Sequence, residues 1–331
     1  MNKNIFITGA TGFIGRKLAL NLVQDDKVSA LVRPQSQDKI GKLKEAGVEI
    51  IIGDLLNINS YLDKLKDIDY VFHLAALFRL EAPKKELYQY NVLGTRMLLE
   101  ACVGKGIKRI IYFSTAYIAG NREGESIKEE EPYPKKFKNW YEWSKAEAEK
   151  IVWDYRKQYN LPVVIVRPVI VYGPESFYGF YNALKIISEG RLWVYPGDGK
   201  NKVHLVHVED VVGAVIYLAY LENITDSVYH ICGDSALTSA ELIRFICHEV
   251  GVGLPKMHLH RGAIKFASKT LFGKIFFKDI SPQLLDYFLY HQSYANDKIK
   301  TSGYLFRYSS PLEGIRSVIK WYRKNGYLKN A

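Results

Sequence analysis

Ile5-Phe6-Ile7-Thr8-Gly9-Ala10-Thr11-Gly12-Phe13-Ile14-Gly15 opens the chain with an apolar run, three glycines at fixed offsets and the first residues of a helical pattern. A strand that runs straight into a glycine turn and then a helix is a place where a pyrophosphate can sit. One glycine makes the tight turn, one lets the backbone approach the phosphates, and one lets the helix pack on the sheet, while the helix N-terminus offers free N–H groups and the positive end of its dipole. Thr8, Gly9, Thr11, Gly12, Phe13, Ile14 and Gly15 are therefore expected to bind a dinucleotide.

The turn stands at the head of a longer alternation. Apolar, β-branched runs at Asn4 to Thr8, Val28 to Arg33, Val48 to Ile52, Tyr70 to Leu74, Arg109 to Phe113 and Val163 to Val166 read as strands. Helical spacing falls between them, at Ile14 to Val23, Gln37 to Ala46, Tyr61 to Lys66, Tyr88 to Gly104 and Trp143 to Tyr159. Six such strands joined by right-handed crossovers predict an α/β fold with a Rossmann-type, doubly wound parallel sheet, which binds ligands at the carboxyl ends of its strands. After Gly173 the alternation weakens, and it returns briefly at Val203 to Tyr220 and Val228 to Cys232. The reading is two interleaved domains: a dinucleotide-binding one over 1–174 and about 203–235, and a smaller, mainly helical substrate domain over about 175–202 and 236–331.

Composition agrees with a globular chain. Its 331 residues are 48% hydrophobic and 24% charged, enough to bury a large core. Cys102, Cys232 and Cys247 form neither a disulfide framework nor a zinc spacing, and no secretion signal or apolar run of roughly 20 residues occurs. A soluble, cytoplasmic protein is expected. The net charge of +11 suits an anionic ligand without identifying it.

Two further places carry chemistry. Where the second strand ends, an acidic residue normally meets the ribose 2′-OH of NAD; here Val32-Arg33-Pro34 puts a guanidinium there, with Lys39 nearby, which suits the 2′-phosphate of NADP(H) better than NAD(H). Asp54 is positioned to accept from the adenine amino group. Tyr141-Glu142-Trp143-Ser144-Lys145 puts a phenol and an ammonium four residues apart on one helix face, 26 residues after Thr115, which closes the fifth strand. The ammonium is expected to stabilise the phenolate and lower the tyrosine pKa, so that Tyr141 exchanges a proton with a carbonyl or alcohol. Tyr-x-x-x-Lys alone is weak, since 24 tyrosines would give about two matches by chance. Its position gives it weight.

With these motifs the chain resembles the extended short-chain dehydrogenase/reductase family, the NAD-dependent epimerase/dehydratase superfamily. The resemblance rests on the glycine turn, Gly53-Asp54-Leu55, His73-Leu74-Ala75-Ala76, Asn91-Val92-x-Gly94-Thr95, Tyr141-x-x-x-Lys145, Arg167-Pro168-x-x-Val171-Tyr172-Gly173-Pro174 and His207-Val208-Glu209-Asp210-Val211. It implies catalysis by Thr115, Tyr141 and Lys145, with Lys145 also holding the nicotinamide ribose. It implies a cofactor cleft that includes Leu55, Ala75, Ala76, Asn91, Ser114 and Pro168. The sugar-nucleotide branch usually has an Asn three residues after the arginine of the sixth strand, and an Arg in an Arg-x-Phe/Tyr-x-x-Val run, both binding diphosphate. This chain has Ile170 at the first place and Val203-His204-Leu205-Val206-His207-Val208 at the second. It is closer in style to dihydroflavonol-reductase-like and 3β-hydroxysteroid-dehydrogenase-like members. The expected activity is NAD(P)-dependent reduction of a ketone or oxidation of a secondary alcohol, with a sugar-nucleotide epimerase or dehydratase as the alternative. A non-catalytic dinucleotide sensor is disfavoured by the intact Thr115, Tyr141 and Lys145.

The substrate is read as a small molecule, conceivably lipophilic, whose pocket draws on Phe177 to Arg191 and Pro255 to Tyr290. Arg261 to Lys278 would suit a basic amphipathic helix on a membrane surface, but a helix packed on the substrate pocket is preferred. His258-x-His260 lacks a carboxylate neighbour, so no metal is expected. The cations lack the aromatic interleaving of a nucleic-acid reader. By analogy with relatives, Tyr88 to Gly104 and Trp143 to Tyr159 would form a homodimer interface.

Overall fold

A computed structural model describes residues 2–120, 124, 126–270 and 282–329. Strand β1 (Asn4–Thr8) passes through the glycine turn into helix α1 (Phe13–Leu22), followed by β2 (Lys27–Val32), α2 (Gly41–Glu45), β3 (Glu49–Ile52) and β4 (Tyr70–His73). Next come α3 (Lys84–Leu87), α4 (Gly94–Cys102), β5 (Arg109–Phe113), α5 (Trp140–Tyr159), β6 (Val163–Pro168) and β7 (Ile170–Tyr172). The second half holds α6 (Phe180–Ser188), β8 (Val194–Pro196), β9 (Lys202–Val203), β10 (Leu205–His207), α7 (Val208–Tyr220) and β11 (Val228–Ile231). It continues with β12 (Leu237–Thr238), α8 (Ser239–Val250), β13 (Met257–Leu259), α9 (Arg261–Lys269) and later helices that include Pro282–Leu289 and Pro311–Lys324.

Among the described residues the main sheet has seven strands in the order β11-β6-β5-β4-β1-β2-β3, all parallel. The seventh is β11, where the chain returns to the sheet and pairs with β6. Strand order reverses between β1 and β4, and a crevice opens outside their carboxyl ends, where Thr8 lies beside His73 in register. Period-two alternation fills both faces of the sheet. Ile5 and Ile7 pack into a core with α1 and α7, whereas Phe6 points to the other side, with Leu98, Leu99 and Val152 of α4 and α5. A third core joins α6, α8 and the helix Pro311–Lys324.

Several expected helices differ. Gln37 to Ala46 is a 3-10 segment over Pro34–Lys39 followed by the short α2, because Ser36 leaves helical geometry with φ −116° and Pro34 starts the first piece. Tyr61 to Lys66 is a 3-10 turn over Leu62–Leu65. The helix expected from Tyr88 begins earlier, at Lys84, and widens to π geometry over Tyr88–Leu93 before α4. The region after Thr238 also contains strand β13, paired in parallel with β8. Of the proposed amphipathic segment 261–278, α9 is described, while Leu271, Lys274, Ile275 and Lys278 lie outside the described residues. Ile264 is buried and Lys265 pairs with Asp286 at 2.9 Å, so this part of α9 packs against the helix Pro282–Leu289.

The glycine turn is steric in origin. A side chain at Gly9, where φ is +79°, would lie 2.7 Å from the Ala75 amide nitrogen, and one at Gly15 would lie 2.2 Å from the Gly9 carbonyl oxygen. Backbone occupies both places, so neither can yield cheaply. Gly15→Ala is expected to lower stability by about 1–3 kcal/mol, read as a lower urea midpoint with unchanged slope. Gly41→Ala, in a helix with no atom within 4 Å of the new methyl, should raise it by about 0.5–1 kcal/mol. Equal behaviour of the two variants would contradict the steric account.

Candidate active site

The crevice has two connected halves. The first is lined by Thr8, Gly9, Thr11, Gly12, Leu31, Arg33, Ser36, Asp54, Leu55, Ala75, Ala76 and Tyr90. The second takes in Phe13, Ile14, Gly15, Ser114, Thr115, Tyr141, Lys145 and Pro168, together with Phe78, Tyr117, Ile170, Phe177, Tyr178, Phe180 and Tyr287.

The turn fits a pyrophosphate on its own geometry. The N-cap of α1 is Gly12, which supplies no capping side chain, so the first-turn amides are left for a ligand. Beneath it a buried network fixes the two strand ends: Thr8 Oγ1 meets His73 Nδ1 at 2.7 Å, His73 Nε2 meets Thr95 Oγ1 at 3.0 Å, and the Ala75 amide donates to Thr8 Oγ1 at 3.2 Å. Burial holds His73 neutral, with its pKa lowered to about 3, so this network is uncharged across the physiological range. Farther along, the Arg33 guanidinium is exposed and lies 5.7 Å from the centre of the Tyr90 ring. Asp54 faces the same end, and its Oδ1 accepts from the Leu56 amide at 2.9 Å. Lys39 is exposed and does not line the crevice; the 3-10 turn presents Ser36 there instead.

Tyr141 and Lys145 are both carried by α5. Asn139 Oδ1 caps that helix by accepting from the Glu142 amide at 2.9 Å. Tyr141 and Lys145, one turn apart, both face inward and line the crevice. Lys145 Nζ donates to the Phe113 carbonyl at 2.6 Å and sits 4.5 Å from the centre of the Tyr112 ring. Burial lowers its pKa to about 7, opposed by the Glu149 carboxylate one further turn along. Glu149 is itself fully buried: Arg167 Nε donates to its Oε2 at 3.2 Å, a second guanidinium nitrogen of Arg167 donates to its Oε1, and the Tyr133 hydroxyl donates to that same oxygen at 2.9 Å.

The expectation that Lys145 lowers the Tyr141 pKa is not met here. Burial dominates and raises it above the ordinary phenol value, with Glu142 adding to the rise. A phenol so shifted is fully protonated across the physiological range, so its hydroxyl can donate a hydrogen bond to a bound oxygen. Ser114 Oγ is buried with no hydrogen-bond partner, and Thr115 Oγ1 makes one long contact, 3.5 Å from the Tyr117 amide that donates to it. Both hydroxyls can serve a bound molecule.

Asn91, expected in the cofactor cleft, does not line it. The π segment turns its side chain inward, where Oδ1 accepts from the Leu77 amide at 2.7 Å and Nδ2 donates to Ser144 Oγ at 2.9 Å. It ties the loop after β4 to α5 next to Lys145, as a positioning residue. Tyr287 and Glu142 tie the helix Pro282–Leu289 to α5 in the same way, with the tyrosine hydroxyl donating to Oε1 at 2.8 Å. Phe78 was not singled out from the sequence, although its ring meets Tyr141 edge-on at 4.9 Å and Tyr178 at 5.3 Å. A lone aromatic in a loop carries no periodic signal. Tyr117 was missed too, but it follows Thr115 by two residues and proximity could have pointed to it. Among the described residues, no group of three or more His, Cys, Asp or Glu side chains is arranged to hold a metal, and no helix is long and apolar enough to cross a membrane.

The model of the NAD dependent epimerase/dehydratase family matches residues 5–232. The chain is 29% identical over 287 residues to the UDP-glucose 4-epimerase of Vibrio cholerae, a match covering 84% of each chain. It is also 29% identical over 264 residues to the 2-alkyl-3-oxoalkanoate reductase of Shewanella oneidensis, covering 73% of this chain and 64% of the relative. The crystal structure of gox2253 superposes with a TM-score of 0.80 at 27% identity, covering 99% of this chain and 100% of the other.

Lys145 has the sharpest pH consequence. The unfolded chain keeps its proton up to the ordinary 10.5, the fold only to about 7. Between those values the unfolded state binds more protons, so stability of the cofactor-free protein rises with pH across that window, and below it the full penalty applies. Thermal unfolding followed from about pH 7 to 10 should show a rise in Tm that Lys145→Met lacks. A parallel rise in both proteins would assign the titration to another group.

Proposed function

The chain belongs to the NAD dependent epimerase/dehydratase family, and from that premise we propose that it is an NAD(P)-dependent oxidoreductase that reduces a ketone or oxidises a secondary alcohol. The observation that carries this reading is the wall of the crevice beside Tyr141. Phe78, Tyr117, Val169, Ile170, Phe177, Tyr178, Phe180 and Tyr287 make it aromatic and aliphatic, and among the described residues Lys145 is its only charged member. A sugar diphosphate brings two negative charges that such a wall cannot match. The two histidines in the stretch where sugar-nucleotide enzymes carry an arginine are internal. His204 Nε2 contacts the Gly233 carbonyl at 2.9 Å while its Nδ1 accepts from the Tyr294 amide at 3.1 Å. His207 Nδ1 accepts from the Glu209 amide at 3.2 Å. Burial lowers their pKa values to about 4 and about 3, so both are neutral. This supports the side of the family that includes dihydroflavonol-reductase-like and 3β-hydroxysteroid-dehydrogenase-like members.

When bound, the nicotinamide supplies or accepts the hydride. The chain's own residues manage the proton. A carbonyl oxygen between Tyr141 and Thr115 receives hydrogen bonds from both hydroxyls, and Tyr141 gives up its proton as negative charge builds on that oxygen. Lys145, protonated, then stabilises the phenolate. Aromatic walls exclude water, which strengthens each of these interactions. Arg33, beside the adenosine end, is proposed to pair with a 2′-phosphate, favouring NADP(H) over NAD(H). A homodimer through α4 and α5 is part of the same proposal, and light scattering that returned one chain mass at micromolar concentration would remove it.

The second reading, a sugar-nucleotide epimerase, draws support from the Vibrio cholerae relative. It requires retained NAD and no net consumption of added cofactor.

Tyr141→Phe is expected to lower ketone reduction by roughly 10²–10⁴-fold, with cofactor affinity within a few-fold of the parent. Turnover near the parent level would overturn the assignment. Arg33→Asp should weaken NADPH binding by about 10–100-fold, in line with loss of a charge-assisted contact, and change NADH binding much less. Equal losses for the two cofactors would remove the phosphate contact.

A further inference from the structure

A second cavity adjoins the crevice at the buried Phe180. Phe180 belongs to the walls of both. One wall is α6, which presents Phe180, Ala183, Ile186 and Ile187 at helical spacing, and the facing wall is α8, with Leu242, Ile243 and Ile246. Val194 and Pro196 of β8, Ile264 of α9 and Leu285 and Phe288 of the helix Pro282–Leu289 close it. The space amounts to about 90 Å³ and opens to solvent. Ser239 is its one polar lining residue among the described residues, and its hydroxyl already donates to Asn201 Oδ1 at 2.7 Å. Nothing in this wall can hold a charge, a phosphate or a sugar hydroxyl.

Protein interiors are close-packed, and a space with no polar partners is a poor site for water but a good one for an apolar ligand. The rim is apolar as well. In the β8–β13 pairing Met257 lies opposite Val194 and Leu259 opposite Pro196, and paired residues of parallel strands share a face. Both Met257 and Leu259 are exposed.

We propose that this cavity is the binding site for a saturated or isoprenoid hydrocarbon chain attached to the carbonyl carbon reduced beside Tyr141, so that the substrate is a long-chain aliphatic ketone. The inference rests on the ketone-reductase reading. Phe180 to Ile187 runs over roughly 10 Å of helix, the length of a chain of about eight carbons. Selectivity then comes from burying methylenes, with no polar contact beyond the carbonyl.

The test uses the NADPH-loaded protein and a homologous series from 2-butanone to 2-tetradecanone, following both NADPH oxidation and calorimetric binding. In the parent, kcat/KM is expected to rise about threefold to fourfold per methylene until about eight carbons are accommodated, and then to level off. Ala183→Trp fills the cavity and should lower kcat/KM for 2-dodecanone by about 100-fold while leaving 2-butanone within twofold. Val194→Phe, at the half-buried mouth, keeps the test open if the first variant does not fold, and should shorten the accepted chain. A flat dependence on chain length in the parent, or equal loss for short and long ketones in both variants, overturns the inference. If the long ketones bind with the expected dependence but are not reduced, the cavity assignment stands and the ketone-reductase reading fails.

Discussion

A lysine amine kept out of water is the constraint around which the site is organised. Lys145 is 3% exposed, and burial alone would push it toward the neutral form. What keeps it usable is a set of fixed partners: the Phe113 carbonyl at the end of β5, the Tyr112 ring, and the Glu149 carboxylate held by Arg167. Tyr112 and Phe113 come from β5, Glu149 from α5 itself, and Arg167, which holds Glu149, from β6. The carboxyl ends of β5 and β6 and the inward face of α5 must therefore stay in register for the charge to survive, and that same register aims Tyr141 at the crevice.

The surrounding structure serves this geometry from two sides. On the cofactor side, the neutral Thr8–His73–Thr95 chain locks β1 to β4 without adding a charge, so the turn presents amides to an anion over a rigid floor. On the far side of the crevice, Tyr287 and Glu142 join the helix Pro282–Leu289 to the first turn of α5. Burial acts in opposite directions on the two groups, holding the Tyr141 phenol in its protonated, neutral form and drawing the Lys145 ammonium toward its neutral form. Anionic charge arriving beside Lys145 would draw its pKa back up, which couples occupation of the site to the protonation of that amine.

Much of this was legible in the sequence because it is written in local patterns. Short β-branched runs, glycine spacing and the four-residue offset of Tyr141 and Lys145 do not depend on tertiary context, and the parallel sheet and the crevice at β1 and β4 follow from them. Errors arose where tertiary contacts override local preference. Asn91 reads as a cleft residue, but a π segment, which no periodicity reveals, turns it toward Leu77 and Ser144. Lys39 is near Arg33 in sequence, yet Pro34 starts a 3-10 turn that carries it away. The pocket wall was legible only as a region. Phe177, Tyr178, Phe180 and Tyr287 fall within the stretches expected to form it, but Phe78 comes from a loop of the first half and meets them only in three dimensions.

The central claim is that the crevice accepts a dinucleotide and an uncharged carbonyl compound rather than a sugar diphosphate. Calorimetric titration of the charcoal-stripped protein with NADPH, NADH and UDP-glucose in parallel addresses it most directly. The account predicts binding of NADPH well above NADH and no heat with UDP-glucose. Binding of UDP-glucose, or NAD that cannot be stripped from the protein, would contradict it and favour epimerase chemistry on the same tyrosine.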